Sequence, residues 1–154
     1  MSSATALPGS LPPLAGRLGF AGLLPQLLAL AMLMTGNLEW RFAALALAYA
    51  YAALILSFLG GLWWGLAARA SGPPDWLWIA AVIPSLVALA TALPWALAWP
   101  WPGPSLVVLG LALIAALAVD LRLVRLGLAP AGWLKLRTPL STGLGVLTLA
   151  IAAF

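Results

Sequence analysis

Five apolar runs, separated by short clusters of charged and turn-forming residues, organise this chain. The first, 14–35, carries Arg17 near its start and Pro25 in its middle. At 1.5 Å per residue it is long enough to cross a hydrocarbon layer of ~30 Å. Pro25 deletes one backbone hydrogen bond, which predicts a kink whose freed carbonyl must be covered by a neighbouring helix or side chain. A polar break from Gly36 to Arg41 leads into the longest run, 42–68, which exceeds the ~20 residues needed and predicts tilt or protrusion. The next break, Arg69 to Asp75, packs turn formers beside an acid suited to a helix start, and a third run follows over 76–93 with Pro84 inside it.

From Pro94 to Pro104, helix breakers alternate with indoles, a composition suited to an interfacial loop or a shallow re-entrant turn. A fourth run covers 105–121. Arg122 to Arg137 then carries four of the seven basic residues, and Thr138-Pro139 has the form of an N-cap followed by proline at the first helical position, opening a last run over 139–154. Sixteen residues span only ~24 Å, so either this helix starts earlier, near Trp133, or the membrane end is reached short. Residues 1–13, uncharged and rich in Ser and Pro, predict a flexible tail with neither the basic start of a secretory signal nor an Arg-rich presequence. The expected architecture is an all-α membrane protein, a five-helix transmembrane bundle forming a single domain over 14–154.

Composition sharpens the same picture. Of 154 residues 65% are hydrophobic and 6% charged, too few charges to clothe a water-facing surface. With no His and no Cys, zinc sites, thiolate nucleophiles, disulfides and His-ligated haem or copper are excluded as purely intrachain sites, and neither metal nor other cofactor is expected. The net charge of +4 does not indicate nucleic acid, because the basic residues sit at the ends of apolar runs. With five spans, Arg17, Arg69, Arg122, Arg125, Lys135 and Arg137 share one side and Arg41 stands alone on the other. That bias puts the N-terminus in the cytoplasm and Phe154 outside. Four spans would keep the bias and move the C-terminus inside. All nine Trp residues fall near span ends: Trp40, Trp95, Trp99 and Trp101 on the outer side, Trp63, Trp64, Trp76, Trp78 and Trp133 on the inner. Indoles favour the headgroup zone, so two interfacial belts account for them, with an aromatic ligand cage as the alternative.

Two constellations stand out. In the second run Tyr49, Ala53, Ser57, Gly61 and Gly65 recur every four residues, with Gly60 and Trp64 beside them, and the small residues make a ridge that another helix can approach closely. The same missing side chains would also suit a groove for a lipid tail, quinone or tetrapyrrole, with Ser57 and Tyr49 as polar contacts. At the inner end, Asp120 is the lone acid within an apolar run, near Arg122, Arg125, Trp133, Lys135 and Arg137. A carboxylate there suits proton transfer or substrate binding, but without a second acid or an imidazole it makes a poor relay, and a structural ion pair with Arg137 or Arg122 is the simpler expectation. The serines lack an imidazole to activate them, and Gly60-Gly61 has no strand before it and no Lys-Ser/Thr after it, which excludes a serine hydrolase and a phosphate-binding loop.

The stretch Tyr51-Ala-Ala-Leu-Ile-Leu-Ser-Phe-Leu-Gly-Gly-Leu-Trp-Trp-Gly65, together with Ile83-Pro84-Ser85, Asp120 and the Trp133-x-x-Leu136-Arg137-x-Pro139-Leu140 element, resembles the transmembrane protein 69 family and its bacterial relatives, which carry a domain of unknown function (3429). The resemblance covers the chain from the first run to the fifth. It implies a five-helix membrane protein and supplies no mechanism. That family commonly has a polar or basic residue where Trp63 stands and Tyr where Leu134 stands, two departures that alter any site those positions form.

The resulting expectation is a bacterial inner-membrane, multi-pass protein, non-enzymatic, serving as a structural, assembly or accessory component of a membrane complex. Its partners would be membrane lipids and other membrane subunits or further copies of itself. The competing expectation is a binder or transporter of a small hydrophobic ligand, since span count and Trp content match the gross anatomy, though not the motifs, of the tryptophan-rich sensory protein family. A lipid-modifying enzyme using Asp120 with Arg122, Arg125 and Arg137 on a phosphate headgroup ranks third, lacking a nucleophile or metal set.

Overall fold

In the computed structural model, residues 11–154 are described; residues 1–10, most of the expected tail, lie outside the described residues. The described chain forms seven helices: α1 (Pro13–Ala21), α2 (Leu24–Met34), α3 (Leu38–Arg69), α4 (Asp75–Ala90), α5 (Leu93–Ala96), α6 (Gly103–Arg125) and α7 (Trp133–Ile151). Four helical stretches, Pro13–Met34, Leu38–Arg69, Asp75–Ala96 and Gly103–Arg125, are long and apolar enough to cross a membrane.

The sequence signals account for most boundaries. Ahead of Pro25 the first run breaks at Gly22 and Leu23 into α1 and α2, and the Tyr51 hydroxyl donates to the Gly22 carbonyl at 2.5 Å, covering the polar gap from α3. The Asn37 side chain caps α3 by accepting from the Glu39 amide at 2.9 Å, so that helix begins at Leu38, four residues before the expected 42. The third run ends as a helix at Ala90, and Leu93–Ala96 forms its own short turn.

At the last boundary the earlier of the two expected starts holds: α7 begins at Trp133 behind Gly132, held at φ 80° where a side chain would be strained, and Pro139 lies inside it, so Thr138-Pro139 does not open a helix. Tertiary contact with α6, described below, fixes that earlier start. At 19 residues α7 covers ~28 Å and runs antiparallel to α6, from the Asp120–Trp133 contact at one end to Gly103 beside the Ala152 carbonyl at the other. Lys135, Arg137 and the hydroxyl residues of its first half dilute its hydropathy, which is why it is not among the four membrane-length stretches.

Helix α3 runs through the middle of the bundle, against α2, α4, α6 and α7, while α1 leans on α7. Small residues set the close crossings. A Cβ on Gly60 would overlap the Ala81 carbonyl oxygen of α4, and Gly110 and Gly145 face each other where α6 meets α7. Leu56, Leu59, Leu77, Leu109, Leu113 and Leu123 fill the larger core; Ala29, Ala44, Ala48, Leu106 and Ile151 fill a smaller one toward the opposite end. Outside, Leu54 and Phe58 of α3, Ile79 and Leu86 of α4, Leu111 of α6 and Val146 of α7 stand exposed. A surface apolar on every side suits lipid and is a liability in water.

One end of the bundle gathers Arg17, Arg69, Arg122, Arg125, Lys135 and Arg137; Arg41 lies at the other, donating to the Phe154 carbonyl. Buried polar side chains bond across helices. Gln26 donates to the Ala48 carbonyl at 3.3 Å and to Thr148 Oγ1 at 2.7 Å, joining α2, α3 and α7, and Ser105 donates to the Thr91 carbonyl at 2.8 Å.

Candidate functional site

Asp120 lies at 0% exposure, five residues before the end of α6. Its Oδ1 accepts from the indole nitrogens of Trp63 and Trp133, each at 3.0 Å, and its Oδ2 from Arg137 Nε at 2.9 Å. Arg137 Nη2 in turn donates to Ser141 Oγ at 2.8 Å. Three helices thus converge on one carboxylate: α3 supplies Trp63, and α7 supplies Trp133, Arg137 and Ser141 on successive turns of one face. A buried ion pair is tolerable only when its remaining hydrogen-bonding sites are filled, and here both oxygens are engaged.

The arrangement selects among the inner-side residues. Asp120, Trp133 and Arg137 come together; Arg122, Arg125 and Lys135 do not, and remain exposed. Arg122 instead lies over the Trp76 ring at 5.7 Å from its centroid. Trp63 and Trp133 also leave the expected inner belt, because buried indole N–H groups are claimed by the carboxylate. In the sequence Trp63 stood out from the other indoles only as a departure from the family resemblance, and Ser141 only by spacing: it sits four residues after Arg137, on the same helical face.

The small-residue ridge of α3 is a second correction. The buried side of the helix is Ala48, Ala52, Leu56, Leu59, Gly60, Trp63 and Ala67, so Gly60 makes the close crossing, while Gly61 and Gly65 are exposed with nothing within 4 Å of an added Cβ. Tyr49 and Ala53 are half-buried; the Tyr49 hydroxyl lies 3.3 Å from Thr91 Oγ1, and its ring meets Trp101 edge-on at 5.2 Å. Ser57 Oγ and Ser85 Oγ pair at 2.8 Å across α3 and α4, and exposed Trp64 packs edge-on against Trp78 at 4.8 Å. Every fourth position drifts around a 3.6-residue helix, which carries a row begun at the half-buried Tyr49 outward by Gly65.

An apolar cleft lies elsewhere. A cleft of about 460 Å³ opens between α1, α3 and α7, walled by residues such as Leu18, Ile55, Phe58 and Leu140, with Arg137 and Ser141 among its few polar members. Its lining on α3 is Tyr51, Ile55, Phe58, Leu59 and Leu62, and does not include Tyr49, Ser57, Gly61 or Gly65. Its volume falls within the range of small-molecule sites. Among the described residues no group of His, Cys, Asp and Glu is arranged to hold a metal.

No curated protein and no solved structure matches the chain. The family model described as "Protein of unknown function (DUF3429)" matches residues 11–154, the whole of the helical bundle from α1 to α7, and the chain belongs to that family.

Proposed function

We propose that this protein is a multi-pass bacterial inner-membrane protein of five spans, N-terminus cytoplasmic and C-terminus outside, that acts without catalysis as an accessory or assembly component of a membrane complex. The gathering of six basic residues at one end supports the orientation, and the antiparallel course of α7 along α6 supports the fifth span. Kinship with the transmembrane protein 69 family rests on the motifs at 51–65 and 133–140. The engagement of both Asp120 oxygens supports an anchoring role for that acid over a catalytic one.

The observation that carries the assembly role is the open face of α3. Gly61-x-x-x-Gly65 has the spacing that lets two transmembrane helices approach closely, no part of the described chain covers it, and the exposed Ser57–Ser85 hydroxyl pair lies beside it. A transmembrane helix of another subunit fits that face.

The chain contains no cysteine, so Gly65→Cys can carry a single photoactivatable label. Irradiated in native membrane vesicles, it should form a protein adduct of one discrete mass that disappears when Gly61→Leu is added, while the chain still accumulates. Labelling of lipid alone, together with a sharp monomer on gentle extraction, overturns the assembly role.

A further inference from the structure

The cleft between α1, α3 and α7 has a polar floor that packing leaves unfinished. Arg137 is 7% exposed and lines the cleft. Its Nε is held by Asp120 and its Nη2 reaches Ser141, but Nη1 has no partner among the described residues. A guanidinium carries five N–H donors, and Nη1, unlike the enclosed Gln26 Oε1 and Trp101 Nε1, stays accessible and free to donate to an acceptor that enters the cleft.

The electrostatics select the acceptor. Asp120 already neutralises Arg137, so the pair is neutral overall. An anionic headgroup would bring an unpaired charge into an apolar cleft, which is costly. A neutral carbonyl accepts from Nη1 and adds no charge. The remaining walls are aliphatic and aromatic, and the lined portion of α7 from Trp133 to Leu144 is ~16 Å long, room for an extended hydrocarbon chain.

Access follows from the weak hold on α1. That helix buries no residue, is separated from α2 by the break at Gly22 and Leu23, and presents Leu18, 64% exposed, opposite Phe58, 61% exposed, at the rim. A molecule dissolved in the bilayer reaches the cleft sideways, without passing through water.

We propose that the α1–α3–α7 cleft binds a hydrocarbon-chain lipid bearing a neutral carbonyl, with Arg137 Nη1 as the hydrogen-bond donor to that carbonyl. Glycerolipid esters and isoprenoid quinones both present this chemistry. Its α3 wall, Tyr51, Ile55 and Leu59, adjoins the Gly61–Gly65 face at Phe58, and the proposal does not require any assembly role.

The test uses the full chain purified in a mild maltoside detergent. It is titrated by equilibrium dialysis with four probes: a decyl-substituted benzoquinone, methyl palmitate, palmitic acid and the parent hydrocarbon hexadecane. Saturable one-to-one binding of the quinone or the ester is expected, about tenfold or more tighter than hexadecane, the size of one hydrogen bond from a charged donor. Preference between quinone and ester then identifies the source. Ile55→Trp, which fills the cleft, should abolish saturable binding. Leu18→Trp, at a rim position that is 64% exposed, should weaken it several-fold. Non-saturable uptake of all four probes, equal affinity for ester and hydrocarbon, tightest binding of the carboxylate, or unchanged binding in Leu18→Trp would each overturn the proposal.

Discussion

The two sides of α3 are made of similar residues and do opposite things. The inward side closes on α4 through Gly60 and reaches Asp120 through Trp63; the outward side, one residue further along, holds Gly61 and Gly65 over open space. In water such a difference would be driven by burial of apolar area. In lipid both sides are equally content with hydrocarbon, and what distinguishes them is how closely a backbone can approach and whether a buried polar group finds its partner. The fold of the single chain is therefore expected to be sensitive to volume and to hydrogen-bonding atoms on the inward side, and to neither on the outward side.

Substitutions should separate these demands, and the largest effect should come from Asp120→Ala. It strips Arg137 of its counter-ion and both indoles of their acceptor, for a loss of about 3–5 kcal/mol, measured as unfolding in mixed micelles of increasing denaturing detergent. Gly60→Leu should follow. Its side chain has to displace the Ala81 backbone, with a cost of about 3 kcal/mol and poor accumulation in the membrane. Trp63→Phe keeps most of the ring volume and removes one donor to the carboxylate, so about 1–3 kcal/mol should be lost with the fold retained. The smallest effect should have the reverse sign. Gly61→Ala adds a methyl in open space and restricts the unfolded chain, stabilising α3 by up to about 1 kcal/mol. Equal penalties at Gly60 and Gly61 would remove the distinction between the two sides.

The other end of the bundle repeats the lesson with neutral groups. Gln26, next to the Pro25 break, is fully buried and ties α2 to α3 and α7, as Asp120 ties α6 to α3 and α7. Its residue type was a visible signal, an amide in the middle of an apolar run; its partners Ala48 and Thr148 were not. Tyr51 shows the same limit. The sequence demanded that something cover the carbonyls freed near Pro25, and only the packing of α3 against α2 put the Tyr51 hydroxyl on Gly22.

What the amino-acid order settles here is local: long apolar helices, a disturbance near Pro25, the polar turns between the runs and the gathering of cations at one end. Each depends on composition within a few residues, and a bilayer punishes any unpaired backbone between them. Which face of each helix turns inward was left to the tertiary structure. An amphipathic helix in water shows its inward face by contrast, whereas a helix apolar all round carries no such mark. Hence Gly60 rather than Gly61 at the crossing, and Trp63 and Trp133 on Asp120 rather than at the interface: each was decided by a partner distant in sequence, at a rotation about the helix axis that no local pattern specifies.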